Sequence, residues 1–190
     1  MIKVKNGFTI SELVVSTAIT SLVICSAVSM SNSVMRNMAR ANRELLSSER
    51  GILVTQMFSN DVRSAKTIMT SYGSFHTGDQ TVILAVPSID AYGEPIDPEL
   101  YNDRVIYILM DGNIMRIIDA YDSVSARADT TDVVVRSVTA LSFSHNGTDL
   151  GSIADLSSVD SITMQATTST ILFGNSEYDD IIAAVSLRNK

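Results

Sequence analysis

Apolar and hydroxyl side chains alternate with almost no charge from position 8 to about position 33. Ile10, Leu13, Val14, Ile19, Leu22, Val23 and Ile24 supply the apolar content, while Thr9, Ser11, Ser16, Thr17, Thr20, Ser21, Ser26 and Ser29 can return hydrogen bonds to helix carbonyls. At 1.5 Å per residue, residues 8–30 make a helix of about 35 Å, enough for a hydrocarbon core roughly 30 Å thick. Helical periodicity continues beyond it. Val54, Phe58, Val62, Ala65 and Met69 recur at intervals of 4, 4, 3 and 4, with Glu44, Glu49, Arg50, Asn60, Asp61 and Arg63 on other positions. The pattern predicts one helix from residue 8 to about 67, on the order of 90 Å long, kinked or softened near Gly51 and the Ser31-Asn32-Ser33 patch. Its amphipathic second half lays a stripe on a globular domain. A helix of that length without a coiled-coil heptad suits a filament spine.

After Tyr72 the pattern changes to short β-branched runs between turn formers. Strands are expected at 81–86, 104–110, 114–119, 132–143 with a break, 161–167 and 181–187. Asp111-Gly112 between two apolar runs predicts a hairpin with a type I′ turn. Residues 87–103, with Gly93, Pro95 and Pro98, and residues 144–158 read as long surface loops. The fold class is therefore α+β: a long N-terminal hydrophobic helix packed on a C-terminal, mainly antiparallel β-sheet domain. The segments are 1–7 as a short basic stretch, 8–33 as the membrane part of the helix, 34–70 as its amphipathic second half, and 71–190 as the β-rich domain.

Composition adds limits. The chain has 190 residues, is 45% hydrophobic and 18% charged, and has three prolines, which excludes wholesale disorder. Its net charge of −7 argues against nucleic acid as a partner. The lone Cys25 makes no intramolecular disulfide and no cysteine-based zinc site. Lys3 and Lys5 ahead of the apolar run keep the N-terminus cytoplasmic by the positive-inside rule, although Arg36, Arg40 and Arg43 on the far side oppose that bias. A secretory signal peptide has a shorter, less polar apolar core followed by a small-residue cleavage site. Met30, Met35 and Met38 read as adaptable packing at the membrane exit. Glu12 breaks the pattern: an ionised acid in the apolar run costs on the order of 3 kcal/mol on insertion scales, so it needs a partner or a purpose.

The residues Gly7-Phe8-Thr9-Ile10-Ser11-Glu12-Leu13-Val14-Val15 closely resemble the class III signal of type IV pilins and pseudopilins. Within that family, Gln56-Met-Phe-Ser-Asn-Asp61-Val-Arg63-Ser-Ala65, Tyr107-Ile-Leu before a hairpin reaching Arg116, and Val185-Ser-Leu-Arg188-Asn189 are similar to the PilW/GspJ-like minor subunits. The cleavage motif spans about nine residues; the subgroup matches are scattered across the chain. The resemblance makes residues 1–7 a class III leader and 8–33 a filament-core segment, and implies cleavage after Gly7 by a prepilin peptidase, N-methylation of Phe8, and a docking role for Phe8 and Glu12. The new Phe8 α-ammonium would pair with Glu12, within one subunit or between staggered subunits, where the pairing sets an axial register. Loss of Lys3 and Lys5 would leave 12 basic against 21 acidic side chains, a net of −9. Some members that occupy the outermost tip lack the acid, so Glu12 implies addition beneath another subunit.

The expected function is that of a minor type IV pilin, a structural subunit of the tip complex that primes pilus assembly. The alternatives are a minor pseudopilin of a type II secretion system and an unpolymerised membrane-anchored binding module. Implied partners are the prepilin peptidase, other minor pilins and the major pilin, the inner-membrane assembly platform, and membrane lipid before assembly. The implied location is the inner membrane, single-pass with the C-terminal domain periplasmic, and then the filament tip at or beyond the cell surface. No enzyme activity is expected, because His76 and His145 lie in polar loop contexts, without a nucleophile elbow, a metal-type spacing or a phosphate-binding glycine loop. Some pseudopilins bind calcium, and Asp90, Glu94, Asp97, Glu99 and Asp103 offer oxygen ligands. They lack EF-hand spacing, so the solvated-loop reading is preferred and no cofactor or metal is expected. Asn146-Gly147-Thr148 matches a glycosylation sequon but reads as a turn.

Overall fold

The computed structural model describes residues 9–97, 99–121, 124–172 and 175–187, and the side chains of these except 43–48, 50, 171, 172 and 175. Helix α1 is Ile10–Ser64, helical through Ser31-Asn32-Ser33 and through Gly51. The chain divides into two compact units, Met1–Ser48 and Glu49–Lys190.

In the first unit, α1 holds a candidate membrane span, Ile10–Asn42, with a mean hydropathy of 2.0 and none of it buried. It is long and apolar enough to cross a membrane. Met30, Met35 and Met38 are all exposed on it.

The second unit is built on the last turns of α1. Val54, Phe58 and Val62, four residues apart on one helical face, are all buried, and so is Ala65 just past the helix end. The helix stops at Ser64, earlier than the periodicity predicts, because the chain there enters strand pairing: Lys66 donates its N–H to the Ala85 carbonyl at 2.8 Å. Ile68 is consequently buried in place of Met69, which is half-buried.

Eleven strands follow among the described residues: β1 Thr67–Met69, β2 Ser71–Tyr72, β3 Phe75–His76, β4 Thr81–Pro87, β5 Asn102–Met110, β6 Asn113–Asp119, β7 Thr130–Arg136, β8 Val138–His145, β9 Thr148–Asp149, β10 Ser161–Leu172 and β11 Asn175–Ser186. One sheet has the order β1-β4-β5-β6-β7, a second β11-β10-β8-β9, and β2 and β3 form a small hairpin. All pairings are antiparallel. The second unit is thus a helix segment packed with antiparallel sheet, an α+β arrangement. Between β5 and β6, Asp111 and Gly112 have φ of 52° and 69°, the two positive values a type I′ turn demands. Asn146 and Gly147, at 49° and 78°, make the corresponding turn between β8 and β9. The break expected within 132–143 is Ser137, whose φ of 59° ends β7 and starts β8. Strands β10 and β11 are longer than their apolar runs, since the hairpin they form continues through polar residues such as Thr167, whose hydroxyl donates to Asp180 at 2.8 Å.

Phe58 touches both sheets. Its ring meets Tyr107 of β5 edge-on, with centroids 5.2 Å apart and planes at 87°, and lies 5.9 Å from Phe143 of β8. Fully buried aromatics of this kind dominate core energetics. Phe58→Ala is expected to cost about 3–5 kcal/mol, whereas Val133→Ala, at an exposed position of β7, should stay within about 0.5 kcal/mol. Thermal melting of the full chain in detergent checks this, and equal losses would refute the central role of Phe58.

Candidate functional site

The helix start is held by a reciprocal arrangement that the sequence contains as Thr9-Ile10-Ser11-Glu12. The Glu12 N–H donates to Thr9 Oγ1 at 3.3 Å, while the Thr9 N–H and hydroxyl donate to Glu12 Oε2 at 2.9 and 2.8 Å. The Leu13 N–H donates to the Thr9 carbonyl at 3.1 Å. This is a capping box, in which a threonine and a glutamate three residues later satisfy each other's unpaired donors. A carboxylate in the first turn is also favoured by the partial positive charge of the helix N-terminus. Glu12 therefore has a local partner, Thr9, that the reading from hydropathy alone overlooks; the spacing Thr-x-x-Glu is the signal. Gly7 and Phe8, the expected cleavage and methylation positions, lie outside the described residues.

Farther along, hydroxyls turn inward on their own helix. Thr17 donates to the Val14 carbonyl, Thr20 to Ser16, Ser21 to Thr17 and Ser26 to Leu22, at 2.8 to 2.9 Å. The apolar side chains around them stand exposed, Leu22 at 70% and Val23 at 62%.

In the second unit, three of the residues in the subgroup resemblance, Asp61, Tyr107 and Arg116, come together, while Arg188 and Asn189 lie outside the described residues. The Arg116 guanidinium meets Asp61 in a two-pronged contact, Nε to Oδ2 at 2.7 Å and Nη2 to Oδ1 at 2.8 Å, and the Tyr107 hydroxyl donates to Oδ2 at 2.5 Å. Asp61 lies on α1, Tyr107 on β5 and Arg116 opposite it on β6. Burial, followed by the neighbouring Asp61 charge, raises the Tyr107 pKa and keeps the phenol a donor. The hydrogen bond to Asp61 raises that of Arg116. The cluster ties the helix end to the sheet, and planar two-pronged pairing gives it a defined geometry.

A second carboxylate, Asp103, is fully buried. It accepts from the Ser88 hydroxyl at 2.7 Å, the Tyr121 N–H at 2.9 Å, the Ser125 hydroxyl at 2.8 Å and Arg127 Nη1 at 2.7 Å. Burial pushes its pKa up, but these four donors together outweigh burial and hold it below the ordinary carboxylate range. Arg127 also donates to the Pro87 carbonyl at 2.8 Å. The other loop acids behave differently. Asp90 accepts from the N–H groups of Tyr92 and Glu94, and Asp97 from that of Glu99, which are local turn bonds. Among the described residues, no three of His, Cys, Asp and Glu converge as a metal cluster.

His76 is an exposed residue of β3. His145 closes β8 near Ser161 and Asp160, but Nδ1 faces all of the neighbours that a relay would divide between two nitrogens: the Ser161 carbonyl at 2.8 Å, the Ser161 hydroxyl at 3.2 Å and Asp160 Oδ1 at 3.7 Å. Nε2 faces the Asn146 amide at 3.0 Å. This cluster therefore does not aim a serine at one ring nitrogen and a carboxylate at the other, the geometry nucleophile activation requires. The Asn146-Gly147 turn places its asparagine beside that ring.

Asp103 has a lowered folded-state pKa, so its stabilisation is present above the unfolded value, near 4, and is lost as pH falls through the folded value. Asp103→Asn should flatten the fall in stability below about pH 4 and cost about 3 kcal/mol at neutral pH, since it leaves Arg127 facing an uncharged group. Urea unfolding across that range measures both, and an unchanged acid limb would contradict the assignment. Comparison with protein-family models and with curated proteins finds no match for this chain.

Proposed function

We propose that this chain is a minor type IV pilin, made as a single-pass inner-membrane precursor, cleaved between Gly7 and Phe8, and incorporated into the tip complex that primes pilus assembly. The observation that carries the reading is the carboxylate of Glu12, set in the first turn of an unburied apolar helix and held there by Thr9. An acid so placed has a use if a cation arrives to meet it. Cleavage supplies that cation, because the new α-ammonium of Phe8 immediately precedes Thr9. Until then, the Thr9 donors lower the cost of keeping the carboxylate beside lipid. Pairing of Glu12 with the Phe8 ammonium of a neighbour then fixes the axial stagger between subunits, and the globular second unit remains outside the helix bundle. The resemblance of residues 7–15 to the class III signal supports the same reading.

Two measurements test it. Mass spectrometry of the protein from its host membranes should give an N-terminus at Phe8 carrying one methyl group, and an intact Met1 terminus would favour an unpolymerised anchored module instead. In the same host, Glu12→Ala should reduce copurification of other minor pilins; unchanged copurification would sink the docking role. Deletion of the gene, restored by the wild-type copy, distinguishes the two filament systems. Loss of surface pili with secretion intact is the expected outcome, and loss of secreted exoprotein with pili intact would move the chain to a type II pseudopilus.

A further inference from the structure

The last turns of α1 and the loop that follows β4 form the walls of an open groove of about 550 Å³. Asn60 and Arg63 line it from the polar side of the helix, Pro87, Ile89 and Pro95 give it an apolar wall, and Arg127 lines it as well. The apolar wall is braced. Ile89 and Pro95 face each other in an antiparallel bridge, the Ala126 N–H donates to the Ile89 carbonyl at 2.7 Å, and Arg127 Nη1 donates to the Pro87 carbonyl at 2.8 Å. The shape is thus present before anything enters it, and a volume of this order suits a small ligand or the end of a peptide. The charge is unlike that of the whole chain, whose net is −7: among the described residues, both charged side chains on the groove are arginines. Asp61, two positions before Arg63, is taken up by Tyr107 and Arg116. Arg63 is exposed and has no hydrogen bond or ion pair among the described residues. The Arg127 side chain uses only Nη1 on the protein, for Asp103 and Pro87, which leaves its Nε and Nη2 hydrogens unpartnered there. That is the edge with which Arg116 grips Asp61, and a planar carboxylate meets it in two parallel hydrogen bonds.

We propose that this groove binds a carboxylate carried on an apolar body, the acid group held by Arg127 and Arg63 and the body laid on Pro87, Ile89 and Pro95. Charge selects the carboxylate. Asp103 is fully buried and already neutralises Arg127, so Arg63 supplies the uncompensated positive charge, which matches a singly charged acid better than a phosphate ester of charge near −2. The last carbonyls of α1 disfavour an anion at the helix end, and Arg63, in the final turn, offsets them. Because Asp103 and the Pro87 carbonyl hold the Arg127 guanidinium in place, little side-chain freedom is lost when a ligand arrives. A free organic acid and the C-terminal end of a polypeptide present the same two features, a carboxylate and a branched apolar group. The site lies wholly within the second unit and does not depend on the pilin reading.

The test uses the full chain in detergent, with isotope-labelled arginine, and follows the Nε–H resonances of Arg63 and Arg127. The probes are isocaproate and the peptide acetyl-Gly-Gly-Leu, each as the acid and as its amide, and isobutyl phosphate. Both resonances should shift saturably with the acids and not with the amides, and the affinity should fall as salt is raised. Arg63→Gln should weaken binding about tenfold or more and Arg63→Lys less. Arg136→Gln, at an exposed position of β7, should leave the affinity unchanged. Arg63 is exposed, so its variants should keep the wild-type melting temperature, which is measured alongside; Arg127 is left intact because its loss unpairs Asp103. Tighter binding of the peptide acid than of isocaproate identifies a polypeptide end as the source, and the reverse order a free organic acid. Amides that bind as well as the acids, a phosphate ester that binds more tightly than either acid, an Arg63→Gln chain of unchanged affinity, or either arginine resonance unmoved at millimolar acid would each overturn the assignment.

Discussion

Burial of one helical stripe holds the globular unit together. Val54, Phe58, Val62 and Ala65 are the point at which the helix end and both sheets share a core, and Phe58 is in ring contact with each sheet. Each sheet has its own hairpin turns, and each needs an apolar partner to cover its buried face. The stripe supplies that partner, and because interiors are packed to crystal-like density, its side chains also set where the strands lie. The helix thus has two roles in one element, an apolar exposed stretch in the first unit and a packing face in the second.

Around that apolar contact, two carboxylates fix direction. Hydrophobic burial is non-directional, so a stripe of branched side chains permits small rotations of the helix on the sheets. Asp61 removes that freedom by accepting from Tyr107 and Arg116, residues side by side on adjacent strands. Asp103 does the equivalent for the long connection after β4, gathering Ser88, Tyr121, Ser125 and Arg127 from segments far apart in sequence. Each charge is buried or half-buried and each is paired, as the cost of an unpaired buried ion demands.

Much of this architecture is legible in the sequence, for reasons that differ by element. The helix is readable from the nearly uncharged apolar run over 8–33 and the helical spacing of apolar residues from Val54 onward, and the β5–β6 hairpin from Asp111-Gly112 between two apolar runs. The end of the helix is not, because Ser64-Ala65-Lys66 carries no glycine or proline and the stop comes from a hydrogen bond to Ala85, distant in sequence. Strands β10 and β11 exceed their apolar cores for the same reason: Thr168, Ser169 and Glu177 take part through backbone pairing, which leaves no hydrophobic trace. Glu12 stands out as an acid in an apolar run. Its partner Thr9 is hidden among seven other hydroxyl residues, and only the three-residue spacing separates it from them. Asp103 reads as one more acid in a polar loop, and its burial depends on Ser125 and Arg127, more than twenty residues away.

The inward-turned hydroxyls of the apolar helix bear on how such a segment changes surroundings. Thr17, Thr20, Ser21 and Ser26 donate to carbonyls of their own helix. Moved from acyl chains to the side of another helix, these groups need neither shed nor acquire a hydrogen bond. For these four groups the exchange is one of dispersion contacts, between media of similar polarity. A solute equally at home in two phases can be partitioned by a small bias at one end, and for this helix that end is the first turn.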